Sequence, residues 1–478
     1  MSKICFYTLI FGGLLALGCP STTSQKPKQV TKPFRGQEVE LVVPAPLKLP
    51  ALWEVTLNEW MDQTGATIRW SEYSGSEADS LESRLAVVPE SNGRIILFPL
   101  QQLCQIDHHL AAIEADRFDV KDVFKGLREH VLRRNRNPAA VPVSAPVLLC
   151  YYRADLLKKS GLNPPETWQD YQELLDTLDQ WAPGMTAVEP LDPGHRSTLF
   201  YARSLAFTKH PENYSVWFDL DSGQPTINTA GFVEAMNVAT RAWKAMPSNI
   251  TELTPADCRD QVIHGRAALA IGIEPASSLQ PEPNPRVSTL EVGVCRLPGS
   301  TRVYNRNSKQ WDVPTAVHAP GICGSDGFAI GVGLSKEPSD AAWHLLSALA
   351  GEAFESNWSE LPKSPCRESQ AATAASWYES GLTAEEASRA VDAVSQTLRD
   401  GQLVADLPIP EADKFRQVTA TVVGKLQAGE LDPTSACQQL QADFENLVQE
   451  IGPDKLRLEY RSGLGLPILD VIEPGNVR

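Results

Sequence analysis

The segment VPVSAPVLLCYYRADLLKKSGLNPPETWQDYQELL, residues 141–175, carries more structural information than any other part of the chain. Its second half contains a capping-box pattern, because Thr167 is followed three residues later by Asp170. Tyr171 and Leu174 then continue the segment at helical spacing. The pattern therefore predicts a helix that begins after Thr167 and buries one apolar face.

The sequence before this segment has the pattern of a β-α-β unit. Residues 38–43 and 66–70 read as strands, and the apolar residues between 53 and 61 recur at helical spacing. Residues 95–98 form a short, continuously apolar run of the kind that is buried in a parallel sheet. This order predicts an α/β fold in which helices cover mostly parallel sheets.

The N-terminus has the pattern of an export signal. The apolar run of residues 4–17 is shorter than the roughly 20 residues that a helix needs to span a bilayer, which favours a cleaved signal peptide over residues 1–18. Its end, LALGC, resembles a bacterial lipobox, which implies that Cys19 is acylated. An ordinary secretory signal with an incidental Cys19 is the alternative. Residues 19–36 are polar and rich in Ser, Lys and Pro, and we expect a disordered tether that carries the lipid anchor.

Composition limits the classes of partner. A formal charge of -16 argues against nucleic acid and against anionic lipid as partners. Cysteines other than Cys5 and Cys19 number seven, and they are scattered too widely for a disulfide framework or a CxxC metal site. We expect most of them to be buried as small hydrophobic residues, while one disulfide remains open. About 440 residues after the tether suit two or more lobes.

Further segments resemble a known family when they are read in order with residues 141–175. They are NTAGFVEAMNVATRAW (228–243), CRDQVIHGRAALAIG (258–272), and VGVCRLPG (292–299) followed by APGICGSDGFAIGVGLSKEPSDAAWHLLSAL (319–349). The ordered set is similar to the extracellular solute-binding proteins of bacterial ABC importers, specifically the sugar-type family 1 in its lipoprotein form. The resemblance extends from about Gln37 to Ile451.

The resemblance implies a two-lobed periplasmic-binding-protein-like fold of type II, with the ligand in a cleft between the lobes. The expected parts are a first lobe over 37–142 plus 315–362, a second lobe over 143–314 plus 363–452, and a C-terminal tail over 453–478. We expect a monomer that partners a small solute, ABC permease subunits and, through Cys19, the membrane. No cofactor and no metal are expected.

Candidate ligand-binding residues follow from the parts of such a cleft that a ligand meets, which are loops at strand ends, helix N-termini and aromatic faces. From the first lobe and the crossing strand they are Pro46, Leu47, Tyr73, Ser74, Phe98 and Ser144; from the second lobe, Asp192, His195, Trp217, Phe218 and Glu274; and from the returning chain, Ser325, Asp326 and Trp358. Core or surface packing is the alternative for each aromatic residue. An ordinary loop histidine is the alternative for His195.

The expected function is capture of a carbohydrate outside the cytoplasm, without catalysis. Aromatic faces would stack on the sugar, and carboxylates would accept hydrogen bonds from its hydroxyl groups. A polyamine, an amino acid or another cation is the alternative ligand, because the same carboxylates would suit it. The sequence contains no GxSxG, HExxH, Walker or GxGxxG motif, although a glycoside-acting enzyme or a lipid-anchored scaffold remains open.

Overall fold

The structure is a computed structural model, and it describes residues 32–74, 80–86, 93–134, 137–275, 290–324, 326–334, 339–351, 361, 364–373 and 381–467. The signal peptide, Cys19, Ser325 and Trp358 lie outside these residues. The strands are β1 (Glu38–Pro44), β2 (Thr67–Tyr73), β3 (Gly93–Pro99), β4 (Arg133–Arg134), β5 (Asn137–Pro138), β6 (Val141–Ser144), β7 (Leu149–Arg153), β8 (Thr186–Val188), β9 (Ala267–Gly272), β10 (Val292–Arg296), β11 (Val303–Asn305), β12 (Gln310–Asp312), β13 (Ile322–Cys323), β14 (Phe328–Val332) and β15 (Val404–Ala405). The helices are α1 (Leu49–Thr64), α2 (Leu81–Leu85), α3 (Leu103–Ile106), α4 (Ala154–Ser160), α5 (Trp168–Asp176), α6 (Leu178–Trp181), α7 (Arg196–Thr208), α8 (Ala230–Lys244), α9 (Pro255–Ile263), α10 (Asp340–Leu349), α11 (Glu368–Ala371), α12 (Ala384–Arg399), α13 (Ala412–Gln427), α14 (Pro433–Ile451) and α15 (Pro453–Gly463).

The first lobe is built on a five-stranded sheet with the order β2-β1-β3-β14-β6. Strand β1 is parallel to β2 and β3, whereas β14 is antiparallel to both β3 and β6. Helices α1 and α10 bury Trp53, Leu57 and Leu345 against one face of this sheet. The apolar spacing that predicted a helix over residues 53–61 thus reflects a real buried face.

The second lobe is built on a four-stranded sheet with the order β10-β7-β9-β8. Strand β7 is antiparallel to β10 and β9, and β8 is parallel to β9. Helices α9 and α12 pack on this sheet, while α7, α8, α13 and α14 pack on one another beside it. Helix α5 begins as predicted, with Thr167 accepting a hydrogen bond from the Asp170 backbone in a complete capping box.

The two-lobed α/β fold is confirmed, but the sheets are mixed rather than mostly parallel. Of the seven strand pairs in the two sheets as described, three are parallel and four are antiparallel. The antiparallel pairs involve β14, β7 and β10, which are strands next to a crossing between lobes. A strand that enters a sheet from the opposite lobe runs in the reverse direction, and apolar runs alone do not carry that information.

The chain crosses between the lobes more than once. The first crossing is the short link from β6 to β7, and later crossings carry the chain into β14 and out of α10. Near these crossings, β13 pairs in parallel with β15 through Ile322 and Val404, outside both sheets. The lobe boundaries that were read from the sequence stay a prediction.

Both ends of the folded body extend further than the sequence predicted. At the N-terminus, the Phe34 N–H donates to the Thr64 carbonyl at 2.9 Å, and the Phe34 ring lies 5.3 Å from His344, so the tether ends before residue 34. At the C-terminus, residues 453–463 of the expected tail form α15, which buries Leu456 and Tyr460 completely. Apolar contacts order both segments. None of the described helices is both long and apolar enough to cross a bilayer.

An aromatic cluster joins α13, α14 and α15 to the second lobe. The Phe218 ring has no exposed surface, and its centroid lies 5.3 Å from Phe415, 6.0 Å from Phe444 and 5.2 Å from Tyr460. Three edge and stacking contacts to one side chain make Phe218 the centre of this cluster.

We expect Phe218→Ala to lower the free energy of unfolding by about 3–5 kcal/mol, because it opens a cavity among three rings. Urea denaturation at 25 °C measures this loss. The control is Val55→Ala on α1, where the side chain is 72% exposed, and its change should stay within about 0.5 kcal/mol. Equal effects of the two substitutions would contradict the assignment of Phe218 to the core.

Candidate functional site

The predicted strand-end residues of the first lobe share one edge of its sheet. Phe328, where β14 begins, pairs with Pro99 at the end of β3 and with Ser144 at the end of β6. The parallel strands β1 and β2 end at this same edge. Asp326 lies two residues before the start of β14, so the returning chain brings a carboxylate to the edge where the other strands end.

The matching edge of the second sheet faces the crossing from the first lobe. Leu149, the first residue of β7, pairs with Gly272 at the end of β9, and Val188 at the end of β8 pairs with Ala270. The loop that carries Asp192 therefore leaves the sheet where the chain has just crossed. Loops at strand ends of both lobes, which the sequence analysis names as positions that a ligand meets, therefore lie on either side of this crossing.

Asp192 and His195 form a fixed local pair in the loop before α7. Asp192 Oδ1 lies 2.8 Å from His195 Nδ1, and Asp192 Oδ2 accepts from the Gly194 backbone N–H at 3.0 Å. The backbone N–H groups of both His195 and Arg196 also donate to the Asp192 carbonyl. The loop thus holds the imidazole at the N-terminus of α7.

Asp326 completes an ion-pair cluster that spans the two lobes. Its Oδ1 lies 3.7 Å from His195 Nε2, on the side of the ring opposite to Asp192. All three side chains keep some solvent contact, with exposures of 16% for Asp192, 26% for His195 and 31% for Asp326. We refer to Asp192, His195 and Asp326 as the interlobe bridge.

The interlobe bridge keeps His195 charged at neutral pH. Burial lowers the pKa of His195, but hydrogen bonds and charge from Asp192 and Asp326 outweigh burial and raise that pKa to about 10. The imidazolium is hydrogen-bonded to Asp192 at 2.8 Å and lies at ion-pair distance, 3.7 Å, from Asp326. The site therefore presents acceptor oxygens that are held in place by one cation.

A buried ion pair lies next to the interlobe bridge. Arg416 Nε donates to Asp406 Oδ2 at 3.2 Å, and the Asp406 side chain is only 1% exposed. Burial raises the pKa of Asp406, Arg416 opposes this rise, and the charge of Asp326 adds to it. Within the described residues, Asp406 Oδ1 is buried and accepts no hydrogen bond. Sequence reasoning did not select either residue.

A cavity of about 640 Å³ opens between α2 and α3 of the first lobe and α13 and α15 of the second. Gln105 Nε2 donates across it to the Pro410 carbonyl at 2.9 Å, so the two lobes are in contact beside it. Six acidic or basic side chains line this interlobe cavity, namely Glu82, Asp107, His108, Glu411, Lys455 and Glu459. Its volume falls in the range of small-molecule sites.

Acidic groups outnumber basic ones around the interlobe cavity. Lys455 Nζ lies 2.9 Å from Glu411 Oε1 and 3.6 Å from Glu459 Oε1. Burial and the neighbouring Glu411 raise the pKa of Glu459 to about 7, although Lys455 partly offsets this. The charge of the cavity wall therefore changes close to neutral pH.

Several predicted ligand-binding residues lie near the cleft, but their side chains are buried and make contacts within the protein. Tyr73, Phe98 and Ser144 are buried, and the Tyr73 hydroxyl donates to the Leu97 carbonyl at 3.2 Å. Glu274 is 3% exposed, because Arg259 Nη2 donates to it at 2.9 Å and the Tyr151 hydroxyl also donates at 2.9 Å. These contacts leave Glu274 as a structural anion rather than an accessible acceptor.

Trp217 and Phe218 do not face a cleft, so the expectation that they stack on a ligand is corrected. Both have no exposed surface, and the Trp217 ring packs 4.7 Å from Tyr201 in the core of the second lobe. By contrast, Pro46 and Ser74 are exposed just past β1 and β2, with Leu47 half-buried beside Pro46. Ser325 and Trp358 lie outside the described residues.

A signal for the missed cavity residues exists in the segment DLPIPEAD, residues 406–413. Two prolines before an acidic turn are typical of the start of a helix. Helix N-termini are among the positions at which a ligand is expected to meet the cleft. The preceding strand β15 has only two residues, which is too short for an alternating pattern to predict the strand or the turn that leads from it to α13.

Comparison with known proteins adds evidence that is independent of these contacts. A sequence profile described as "Bacterial extracellular solute-binding protein" matches residues 59–384. No curated protein sequence matches this chain.

Solved structures with a similar fold include several binding proteins at low sequence identity. The sugar-binding protein MalE from Xanthomonas citri is 16% identical over 86% of this chain and 98% of its own, with a TM-score of 0.63. An ABC transporter solute-binding protein from Agrobacterium radiobacter K84 in complex with ribitol is 15% identical over 87% and 100%, with a TM-score of 0.60. Maltose-bound MalE3 of T. maritima is 16% identical over 86% and 99%, with a TM-score of 0.59.

The interlobe bridge predicts the titration of His195. In the native protein the ring should titrate near pH 10, and Asp326→Asn should lower its pKa by removing one carboxylate. Because the folded pKa is raised above about 6.5, the associated stabilisation is full below pH 6.5 and is lost as pH rises towards 10. The stability gap between wild type and Asp326→Asn should close over this window.

Nuclear magnetic resonance of the histidine ring carbons measures the titration, and urea denaturation at several pH values measures the gap. The control is Asp340→Asn, which removes an exposed carboxylate on α10 that pairs with Arg117. A native His195 that titrates near pH 6.5 would show that the bridge does not form in solution.

Proposed function

This chain belongs to the bacterial extracellular solute-binding protein family, and from that membership we propose that it captures a small carbohydrate or polyol between its lobes and delivers it to an ABC importer. The family consists of binding proteins rather than enzymes, so we assign no catalytic step. Export from the cytoplasm follows from the same family membership.

The single observation that carries the proposal is the interlobe bridge. Asp192 and His195 come from the second lobe, Asp326 comes from the first, and the contact joins them at the edges where the strands end. A solute held there would touch both lobes, so its binding would favour the closed arrangement.

A neutral, hydroxyl-rich solute suits this site. Carboxylates whose orientation is fixed by a neighbouring imidazolium accept hydrogen bonds from hydroxyl groups, each contributing about 1.5–3 kcal/mol when well formed. An anionic solute would be repelled by Asp192, Asp326 and the acidic wall of the interlobe cavity. Solved proteins of similar fold bind ribitol, D-mannitol and maltose, which agrees with this class of solute.

A cationic solute is the second candidate, and the acidic wall of the interlobe cavity favours it. Glu82, Asp107, Glu411 and Glu459 outnumber Lys455 there. A polyamine would neutralise these carboxylates. The two candidates therefore differ in which group of residues they need.

We expect isothermal titration calorimetry of the purified protein to detect saturable binding of at least one of ribitol, mannitol and maltose. Asp192→Asn and Asp326→Asn should each weaken that binding at least about tenfold, because each loses a charge-assisted hydrogen bond. Asp340→Asn is the matched control on an outer helix and should bind as the wild type does. Circular dichroism checks that all three variants are folded.

The same titration separates the rival solute. Binding of spermidine alone, with loss in Glu411→Gln but not in Asp326→Asn, would replace the carbohydrate proposal with the cationic one. Failure of all these ligands to bind folded wild type would count against both.

We further propose that the mature protein is a lipoprotein that is anchored through Cys19. The LALGC junction after a short apolar run, followed by a polar tether, supports this. Several acyl chains together hold a protein on a membrane far more firmly than one chain does.

We expect exported wild-type protein to partition into the detergent phase of a Triton X-114 extraction, and Cys19→Ala to leave it. The reason is that the substitution removes the thiol that would carry the diacylglycerol. Cys5→Ala, within the signal, is the matched control and should partition as the wild type does. Equal partitioning of wild type and Cys19→Ala would rule out the anchor.

A further inference from the structure

Two cysteines from distant parts of the sequence lie opposite each other in the second sheet. In the antiparallel pair of β7 and β10, Cys150 is the direct partner of Cys295. Directly opposed side chains leave the same face of a sheet, with Cβ atoms about 4.5–5.5 Å apart. The Cα separations of antiparallel partners, about 4.5 or 5.5 Å, both fall in the range that a disulfide spans.

The register that opposes the two cysteines is fixed by a neighbouring glycine. Gly293 is the partner of Tyr152, and the Tyr152 ring fills the space that a side chain at Gly293 would need. A slip of one residue would place Val292 or Val294 against that ring. The Cys150–Cys295 pairing is therefore the one that this strand pair permits.

The two thiols are close enough for one to affect the other. Burial raises the pKa of Cys150, and the neighbouring Cys295 thiol raises it further. Both cysteines are reduced in the structure. Formation of a bond between them needs little change in the positions of β7 and β10.

The pair also has a route for an oxidant. Cys295 is half-buried and lines an open groove with residues 162–166, where its Sγ lies 4.0 Å from the Pro165 carbonyl. Cys150 has no exposed surface. An oxidant from solvent would therefore meet Cys295 first, and Cys150 would act from inside the sheet.

We propose that Cys150 and Cys295 form a cross-strand disulfide when the exported protein meets a disulfide oxidant such as oxidised glutathione. The Cys295 thiolate attacks one sulfur of that oxidant, which forms a mixed disulfide and releases one thiol. The Cys150 thiolate then attacks Cys295 Sγ and releases the second thiol. The two cysteines lose two protons and two electrons, and the oxidant becomes two thiols.

The bond would join parts of the second lobe that lie far apart in sequence. Strand β10 is at the edge of its sheet, and β7 is the strand that follows the first crossing between lobes. A covalent link between them constrains the unfolded chain over a long loop, which stabilises the native state relative to it. Oxidising conditions outside the cytoplasm are where such bonds persist.

The test treats the full chain, purified under reducing conditions, with oxidised glutathione, then blocks remaining thiols with iodoacetamide and digests without reduction. Mass spectrometry should find one peptide pair that joins Cys150 to Cys295, and the thiol titre should fall by two. Cys295→Ser should abolish both changes. Cys104→Ser is the matched control at another half-buried cysteine and should keep both.

Alkylation of all seven cysteines of the folded body after oxidation would overturn the proposal. A bond from Cys323 to Cys366 in place of the expected pair would overturn it too. These two cysteines are close to each other: burial is the main reason that the pKa of Cys323 is raised, and Cys366 raises it further. The test needs neither solute nor export, so its failure is distinct from failure of the proposed function. Exported wild type, isolated without added oxidant, should carry the same linked pair.

Discussion

The interior position of β14 in the five-stranded sheet, between β3 and β6, is the constraint on which both lobes depend. β14 pairs on one side with β3 and on the other with β6, yet it enters the sequence only after the sheet of the second lobe has been completed. The first lobe is therefore closed by a chain that has already passed through the second. This arrangement also delivers Asp326 to the edge where it meets His195, so the same return path that completes the sheet completes the interlobe bridge.

Local features of the fold were predictable because their signals lie within a few residues. Thr167 with Asp170 forms the capping box that its spacing predicts, and Thr383 with Glu386 forms a second one at the start of α12. Strand direction was not predictable in the same way, since a buried parallel strand and a buried antiparallel strand have the same apolar run. The sequence analysis did not predict the pairing of β13 with β15, because two residues in each strand are too few to show an alternating pattern.

Part of the candidate site could be predicted from loop positions. Asp192, His195 and Asp326 were selected because they lie in loops that such a cleft brings to a ligand, and the three side chains do come together. Trp217 was selected for its aromatic ring and Glu274 as a carboxylate just past a strand, and neither reason reveals which way the local chain turns. Glu274 forms an ion pair with Arg259 on α9, the helix that precedes β9, and no local sequence pattern predicts this pair. The cavity residues before α13 and on α15 were missed because they lie far in sequence from α2 and α3, which they face across the cavity.

The ionisation of Glu459 in the interlobe cavity affects the enthalpy of lobe movement rather than the affinity for a solute. The Glu459 pKa of about 7 depends first on burial, and that burial decreases if the first-lobe helices α2 and α3 move away from α15. Any event that alters the spacing of the lobes near neutral pH will then exchange protons with the surrounding buffer. The enthalpy measured for closure will contain the ionisation enthalpy of that buffer, so it will differ between phosphate and Tris even where the dissociation constant is the same. The buffer thus becomes a reporter of lobe spacing.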